Sequence, residues 1–384
     1  MPSLPRPSPV VLLALALPLL AFECRTVQGP PPAPPPALED ASGALDRTVL
    51  DAWIEATETA RGLAFVRRPT LEILDPEAPA FEALRSAMPF PLERRESIWS
   101  SRPAERVAVD VARAHVAALR PVDGDEVRLA LAFLLDAQHY PRLVESAADA
   151  TGDVGRSLRG LLVASAIATA TNGRALDAPD EPPFDLLAEE RWEANPEIGP
   201  FGALPVLAAQ SYLRAQRDPE APFRAPPLSS EQLMRPAQGR GADRPLWLAG
   251  AIPAPMGCEV ASDESLGVWT LLLGLIERGA SAPLRGLSAW SGDRLVRWRC
   301  EPERAAWLYV AELDDEAGAR AFASIVPLLL PQDLEGDPIL QRRGRRVAVS
   351  TGLSAAETDA IVRSLQAVEL RSAEQAVAIM RGGA

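Results

Sequence analysis

One apolar helix constrains this chain more than any other stretch: residues 125–140, reading DEVRLALAFLLDAQHY. Apolar side chains recur at Val127, Leu129, Ala130, Leu131, Phe133, Leu134 and Leu135, which covers too much of the circumference for a surface helix. Asp125 and Glu126 fall in the first turn, where unpaired N–H groups carry partial positive charge. The spacing therefore predicts a buried central helix with other elements packed around it. Its end is unusual, because Gln138, His139 and Tyr140 close an apolar run with polar groups.

The remaining composition mostly excludes. With 384 residues, 47% of them hydrophobic, the chain can bury a large core or two domains. A formal charge of −13 argues against a nucleic-acid partner, since phosphate binding needs clustered positive charge. Every basic residue is arginine. The absence of lysine rules out a Schiff-base lysine, a Ser-Lys dyad and the lysine of a phosphate-binding P-loop. His115 and His139 are the only histidines, so a His-rich metal site is excluded too. There is no Gly-x-Ser-x-Gly nucleophile elbow. Glu189 and Glu190 read as a solvated helix face, and no Asp-rich loop with its glycine suggests calcium. Cys-His chemistry would need a histidine beside a cysteine far away in sequence, and no spacing supports it. No cofactor is implied.

Residues 1–23 have a basic start at Arg6 and an apolar run over 10–22. That run spans about 20 Å as a helix, short of the roughly 30 Å of a bilayer core. It reads as a secretory signal peptide. Cys24 is a candidate for lipidation, with simple cleavage or an uncleaved anchor as alternatives. Residues 24–43, containing GPPPAPPPA, form a proline-rich disordered tether that holds a folded domain away from a surface. Folded structure begins near Ala44, with a helix stopped at Arg61-Gly62-Leu63 and a strand over 70–74. A short helix is expected over 81–88 and a longer one over 104–119, with His115 at its surface or boundary. Further helices are expected over 153–170, 184–191 and 201–214. Ser229 or Ser230 reads as a helix N-cap before Glu231 and Gln232. From Leu246 strands and helices alternate: strands 246–252, 294–300, 306–312 and 346–350, with helices 266–277, 317–330 and 355–365. Asp293, in Ser291-Gly292-Asp293, reads as a turn former ahead of its strand.

Several of these runs resemble a bacterial family of zinc metallopeptidases, gluzincin-like proteins whose central helix reads roughly LAHELTHALQDQHF. Aligning its terminal Gln-His-aromatic with Gln138-His139-Tyr140 puts the family's zinc-binding His-Glu-x-x-His on Leu129, Ala130, Leu131, Ala132 and Phe133. The family's third ligand, the glutamate of an Ala-Leu-x-Glu-Gly-Asp-Ala signature, falls on Ala164 in Leu162-Val163-Ala164-Ser165-Ala166, with Ala166 at the aspartate. Both histidines, the general base and the third ligand are thus hydrocarbon here. Residues 225–236 are similar to the family's Pro-Pro-x-Ser-Thr-Glu-Gln-x-Leu-His-Pro, with Arg235 in place of the histidine. Asp263-Glu264-Ser265-Leu266-Gly267, Trp290-Ser291-Gly292-Asp293-Arg294 and Arg343-Gly344 also match, so the resemblance extends over about 45–367.

The resemblance implies an α+β fold, mainly α: a zincin-like core with a long central helix, then a C-terminal region of alternating strands and helices. It divides the chain into a degenerate zincin-like helical domain with a short N-terminal strand region at 44–240, an α+β region at 241–370 and a tail at 371–384. Active relatives pair substrate with an edge strand just before the central helix, and the turn at 120–124 looks too short to hold one. Cys258 and Cys300 are expected to form a disulfide in an exported protein. The implied function is that of an exported pseudoenzyme with a binding or structural role in the cell envelope, periplasmic, outer-membrane-anchored or extracellular. Its partner would be an unidentified protein or envelope component, with membrane contact only through an N-terminal anchor. The alternative is a hydrolase using a non-zinc site.

Overall fold

The structure, a computed structural model, describes residues 37–40, 42–90, 92–95, 101–171, 200–234, 245–276, 287, 289–300, 304–329 and 338–381. The expected signal peptide, Cys24, the proline run of the tether, the helix at 184–191 with Glu189 and Glu190, and Arg235 lie outside these residues. The end of the expected disordered tether is instead ordered: Leu38 is buried in the main core and Glu39 bridges to Leu45, so folded structure starts before Ala44. Residues from Ala37 onward form one compact unit.

Its first half is built around three helices. Helix α1 (Arg47–Arg61) starts where the Asp46 side chain accepts from the Thr48 and Val49 amides and stops at Gly62, whose φ of 72° closes the last turn. After strand β1 (Thr70–Leu74), helix α2 (Pro79–Ala87), a short hairpin β2 (Glu93–Arg95) and β3 (Ser101–Pro103), and strands β4 (Val107–Asp110) and β5 (His115–Leu119), the chain enters α3 (Gly124–His139). Asp123 caps α3 by accepting from the Asp125 and Glu126 amides. Eleven of its sixteen residues are buried, among them Val127, Leu129, Phe133 and Asp136. Helix α4 (Pro141–Asp149) follows at once, then α5 (Gly152–Ala170), which packs along α3, and α6 (Pro200–Arg214), which packs on α5. Two short turns, α7 (Ala221–Arg224) and α8 (Ser230–Met234), complete this half.

The helix expected over 104–119 is instead a β-hairpin. Strand β5 pairs in parallel with β1 and antiparallel with β4, giving a three-stranded sheet in the order β1-β5-β4. The alternation of this segment explains why. Val107, Val109, Val116 and Ala118 face the main core, whereas Ala108 and Ala117 face Phe81 of α2. A helix would scatter those two sets; a strand sorts them by parity. The connection needs no glycine, because Ala114 itself takes a positive φ of 54° and Asp110 accepts from the Arg113 amide. The expectation that no edge strand precedes the central helix fails with it, since β4 is an edge of this sheet.

The second half holds strands β6 (Leu246–Ala249) and β7 (Cys258–Glu264), helix α9 (Gly267–Ile276), strands β8 (Trp290–Cys300) and β9 (Arg304–Leu313), and helix α10 (Glu316–Leu329). Strands β10 (Ile339–Arg343) and β11 (Arg346–Thr351), helix α11 (Ala355–Ser364), strand β12 (Gln366–Glu369) and helix α12 (Ala373–Met380) follow. Helix α12 occupies what the sequence suggested was a tail. Five strands form one antiparallel sheet, β10-β11-β9-β8-β7, while β6 pairs with β12. Again parity sorts the faces. Leu295, Trp307, Tyr309 and Val347 join the main core with Phe322 and Ile325 of α10. Val296, Leu308, Val310 and Ala348 pack on Ile361 and Val362 of α11. The fold is therefore α+β, with helices covering both faces of the larger sheet.

Cys258 and Cys300 are direct partners across β7 and β8 and are joined by a disulfide. The bridge spans a sequence separation of 42 residues, for which the chain-entropy relation gives about 4 kcal/mol of stabilisation. A Cys258→Ser/Cys300→Ser double variant is expected to unfold at lower denaturant with a loss approaching that amount. Reductant should shift the wild type and leave the double variant unchanged.

Candidate functional site

The four positions that carry the catalytic group and zinc ligands in the resemblance are all inside. Leu129 is 3% exposed, and Ala130, Phe133 and Ala164 are 0% exposed. All four belong to the main apolar core, which runs from Leu38 to Val377 and includes α3 and α5. Phe133 packs edge-on against Phe90, with ring centroids 5.4 Å apart. Beside them lies a polar staple. Asp136, three residues beyond Phe133, accepts from Ser165 Oγ at 2.6 Å, and Ser165 follows Ala164. Arg61 of α1 donates from Nε to the other Asp136 oxygen at 2.7 Å and from Nη1 to Glu220 at 2.5 Å. Burial pushes the Asp136 carboxyl up, while Arg61 and Ser165 pull it down. Arg61 is held charged above its ordinary value by Asp136 and Glu220, against its own burial. The geometry favours the ion pair, because both carboxylate oxygens have short donors.

The polar end of the central helix proves to be a clamp. Gln138 exchanges two hydrogen bonds with the backbone of Arg67, each 2.9 Å. His139 Nε2 lies 2.8 Å from the Ala64 carbonyl, so that nitrogen carries the proton. Tyr140 stacks on Phe223 with centroids 4.8 Å apart. His115 is a strand residue, not a helical one. Its Nδ1 lies 3.0 Å from Thr70 Oγ1 and its Nε2 3.5 Å from Glu72. Among the described residues no group of three or more His, Cys, Asp or Glu side chains is arranged to hold a metal ion.

A second cluster gathers the motifs around Ser229, Ser265 and Asp293. Asp293 does not form a turn. It lies inside β8, fully buried, and accepts from Ser265 Oγ at 2.6 Å, the Leu266 amide at 2.9 Å, the Gly267 amide and Tyr309 Oη at 3.1 Å. Asp153, in the first turn of α5, accepts from the Ser230 amide at 2.9 Å, and Ser230 Oγ receives the Trp269 amide at 3.4 Å. Ser229 does cap α8, accepting from the Gln232 amide. Gly267 takes a φ of 69°, and a Cβ there would sit 2.0 Å from Asp153 Oδ1. Gly292 is needed for a different reason: a Cβ would lie 2.1 Å from the Leu246 carbonyl oxygen, where β6 crosses. Desolvation raises the Asp293 carboxyl to about 6, with Asp153 adding to the rise. Asp153 is raised by burial as well, and its Oδ1 has no donor among the described residues.

With Asp153, Ser230, Ser265 and Asp293 buried, the cluster ties α5, α8, α9 and β8 together. Sequence reasoning missed Asp153 and misassigned Asp293. The available signal was that three matching motifs each carried a serine or aspartate inside an apolar setting.

The class these features define is an α+β protein with an apolar centre and a buried carboxylate pair. No protein-family model matches the chain, and neither the curated proteins nor the solved structures contain a match.

Asp293 supplies a test by pH. Its folded value of about 6 lies above the ordinary 3.8. Its contribution to stability is thus full below about pH 4 and is lost as pH rises through about 6. An Asp293→Asn variant cannot ionise and lacks this dependence. The stability gap between wild type and variant is expected to be wider at about pH 4.5 than at about pH 7.5, read from urea midpoints at both. A gap that does not change with pH contradicts the assignment.

Proposed function

We propose that this chain is an exported, non-catalytic relative of zinc metallopeptidases, a pseudoenzyme whose zincin-like core serves binding or structure at the cell envelope. The observation that supports this most is the burial of Leu129, Ala130, Phe133 and Ala164 in the main apolar core, on two helices that pack against each other. Restoring any ligand there would place a polar or charged group among hydrocarbon, at a cost of roughly 1–3 kcal/mol or more if unpaired. Each filled position instead adds apolar burial, about 1.5–3 kcal/mol for a side chain such as Leu or Phe. The site has become part of what holds the fold together. The apolar run over 10–22 and the proline-rich stretch after it support export and tethering. The competing reading, a hydrolase with a non-zinc site, differs in one measurable way: it requires turnover that is insensitive to chelators.

Two experiments bear on this. Hydrolysis of a casein and peptide panel is expected at background with and without chelator, and turnover above background contradicts the non-catalytic reading. A variant combining Leu129→His, Ala130→Glu, Phe133→His and Ala164→Glu is expected to lose its cooperative melt. Four such costs approach the whole stability of a typical domain, about 5–15 kcal/mol. If that variant binds zinc and keeps its Tm, the pocket is still open and the relaxed-core reading is wrong.

A further inference from the structure

Where α4 and α12 begin, next to the end of the central helix, the surface opens into a cleft of about 400 Å³. Its lining includes Arg142, Arg224 and Arg371, with His139 beside them and Glu374 on the exposed rim. Three arginines against one glutamate stand out in a chain of net charge −13. The neighbouring acids only partly balance them. Arg224 is paired with Asp218, and Arg371 reaches Glu369 only at 3.8 Å. Arg142 is exposed and has no acidic partner among the described residues. Like charges sharing a concave surface repel, and the repulsion is relieved by an anion between them.

The backbone adds to the same field. Helix α4 starts at Pro141 with no side-chain cap, so the Arg142 amide is left for another acceptor. At the start of α12, the Ser372 side chain caps Gln375. The amides of Ala373 and Glu374, in the first turn, make no bond within the helix. Two helix N-termini therefore open on the cleft that holds the three arginines, and each favours negative charge. One wall is different in kind. Tyr140 is half-buried, and its ring is held by stacking on Phe223, which is itself buried with Arg61 4.4 Å from its centroid.

We propose that this cleft binds a small ligand carrying an oxyanion, a carboxylate or a phosphate, next to a flat apolar group. The oxyanion meets the Arg142 and Arg371 guanidiniums and the open amides, and the apolar part lies against the half-buried Tyr140 ring. Guanidinium forks match planar oxyanions in two-point contact, and the cleft volume falls in the range of small-molecule sites. The inference does not depend on the chain being non-catalytic, so either reading can fail alone.

The test is calorimetric titration of the full chain at low ionic strength with phenylacetate, its neutral isostere phenylacetamide, and inorganic phosphate. Phenylacetate or phosphate is expected to bind at about millimolar Kd or tighter, and the amide at least about tenfold more weakly. An Arg142→Ala/Arg371→Ala variant should lose affinity by about tenfold or more. Both side chains are exposed, so the Tm should hold; Arg142→Gln alone serves as a milder second variant. Binding of phenylacetate without phosphate identifies a carboxylate ligand, and the reverse identifies a phosphate. The proposal is overturned if neither anion binds, if the amide binds as well as the acid, or if the double variant binds unchanged.

Discussion

The packing of α3 against α5 is the constraint on which the rest of this structure depends. Helix α3 is apolar on almost every side and can exist only if surrounded, and α5 supplies the longest covering surface. Hydrocarbon contact alone would leave the two helices free to slip. The buried Asp136 removes that freedom, since its two oxygens are committed to Ser165 on α5 and Arg61 on α1. Removing one partner of such a buried set strands a charge, typically at several kcal/mol. The helices that this staple joins carry Leu129, Phe133 and Ala164, all buried in the main core.

A second buried polar group sets the other half of the molecule on this helical centre. Asp293 draws the chain from Ser265 to Gly267 onto β8, while Asp153 reaches from α5 to Ser230. Arg156 donates to the Ser265 carbonyl, closing the connection from the helical side. Arg294, the next residue along β8, forks onto Asp263 and donates to the Leu248 and Gly250 carbonyls, which holds β6 in place. Two adjacent residues of one strand thus organise the joint, the first as acceptor and the second as donor.

Much of this was legible in the sequence because the local signals agreed. The stop at Gly62 and the apolar spacing over 45–54 and 127–135 located α1 and α3, and the helix expected over 153–170 matches α5, whereas the caps at Asp46 and Asp123 were not singled out. The strands expected over 294–300, 306–312 and 346–350 match β8, β9 and β11, whereas β7 and β10 of the same sheet were not expected. The segment 107–119 was misread because alanines favour helix in isolation, while its valines alternate at a strand period and its turn contains no glycine. Tertiary packing between α2 and the main core decided the outcome. Asp293 was misread for a related reason. Ser-Gly-Asp is turn vocabulary, yet here the glycine admits the β6 backbone and the aspartate collects donors from residues nearly thirty positions away. The three arginines of the cleft come from positions 142, 224 and 371, so no window of sequence contains them together.

The proposal to be tested is that hydrocarbon fills the positions at which the metallopeptidases this chain resembles hold zinc. Zinc stoichiometry measures this most directly. Protein purified without chelator, incubated with excess zinc and desalted, would be assayed by elemental analysis. The account predicts far less than one zinc per chain, with no change in Tm on adding the metal. One tightly held zinc per chain, with a Tm that rises on loading and falls with chelator, would contradict it.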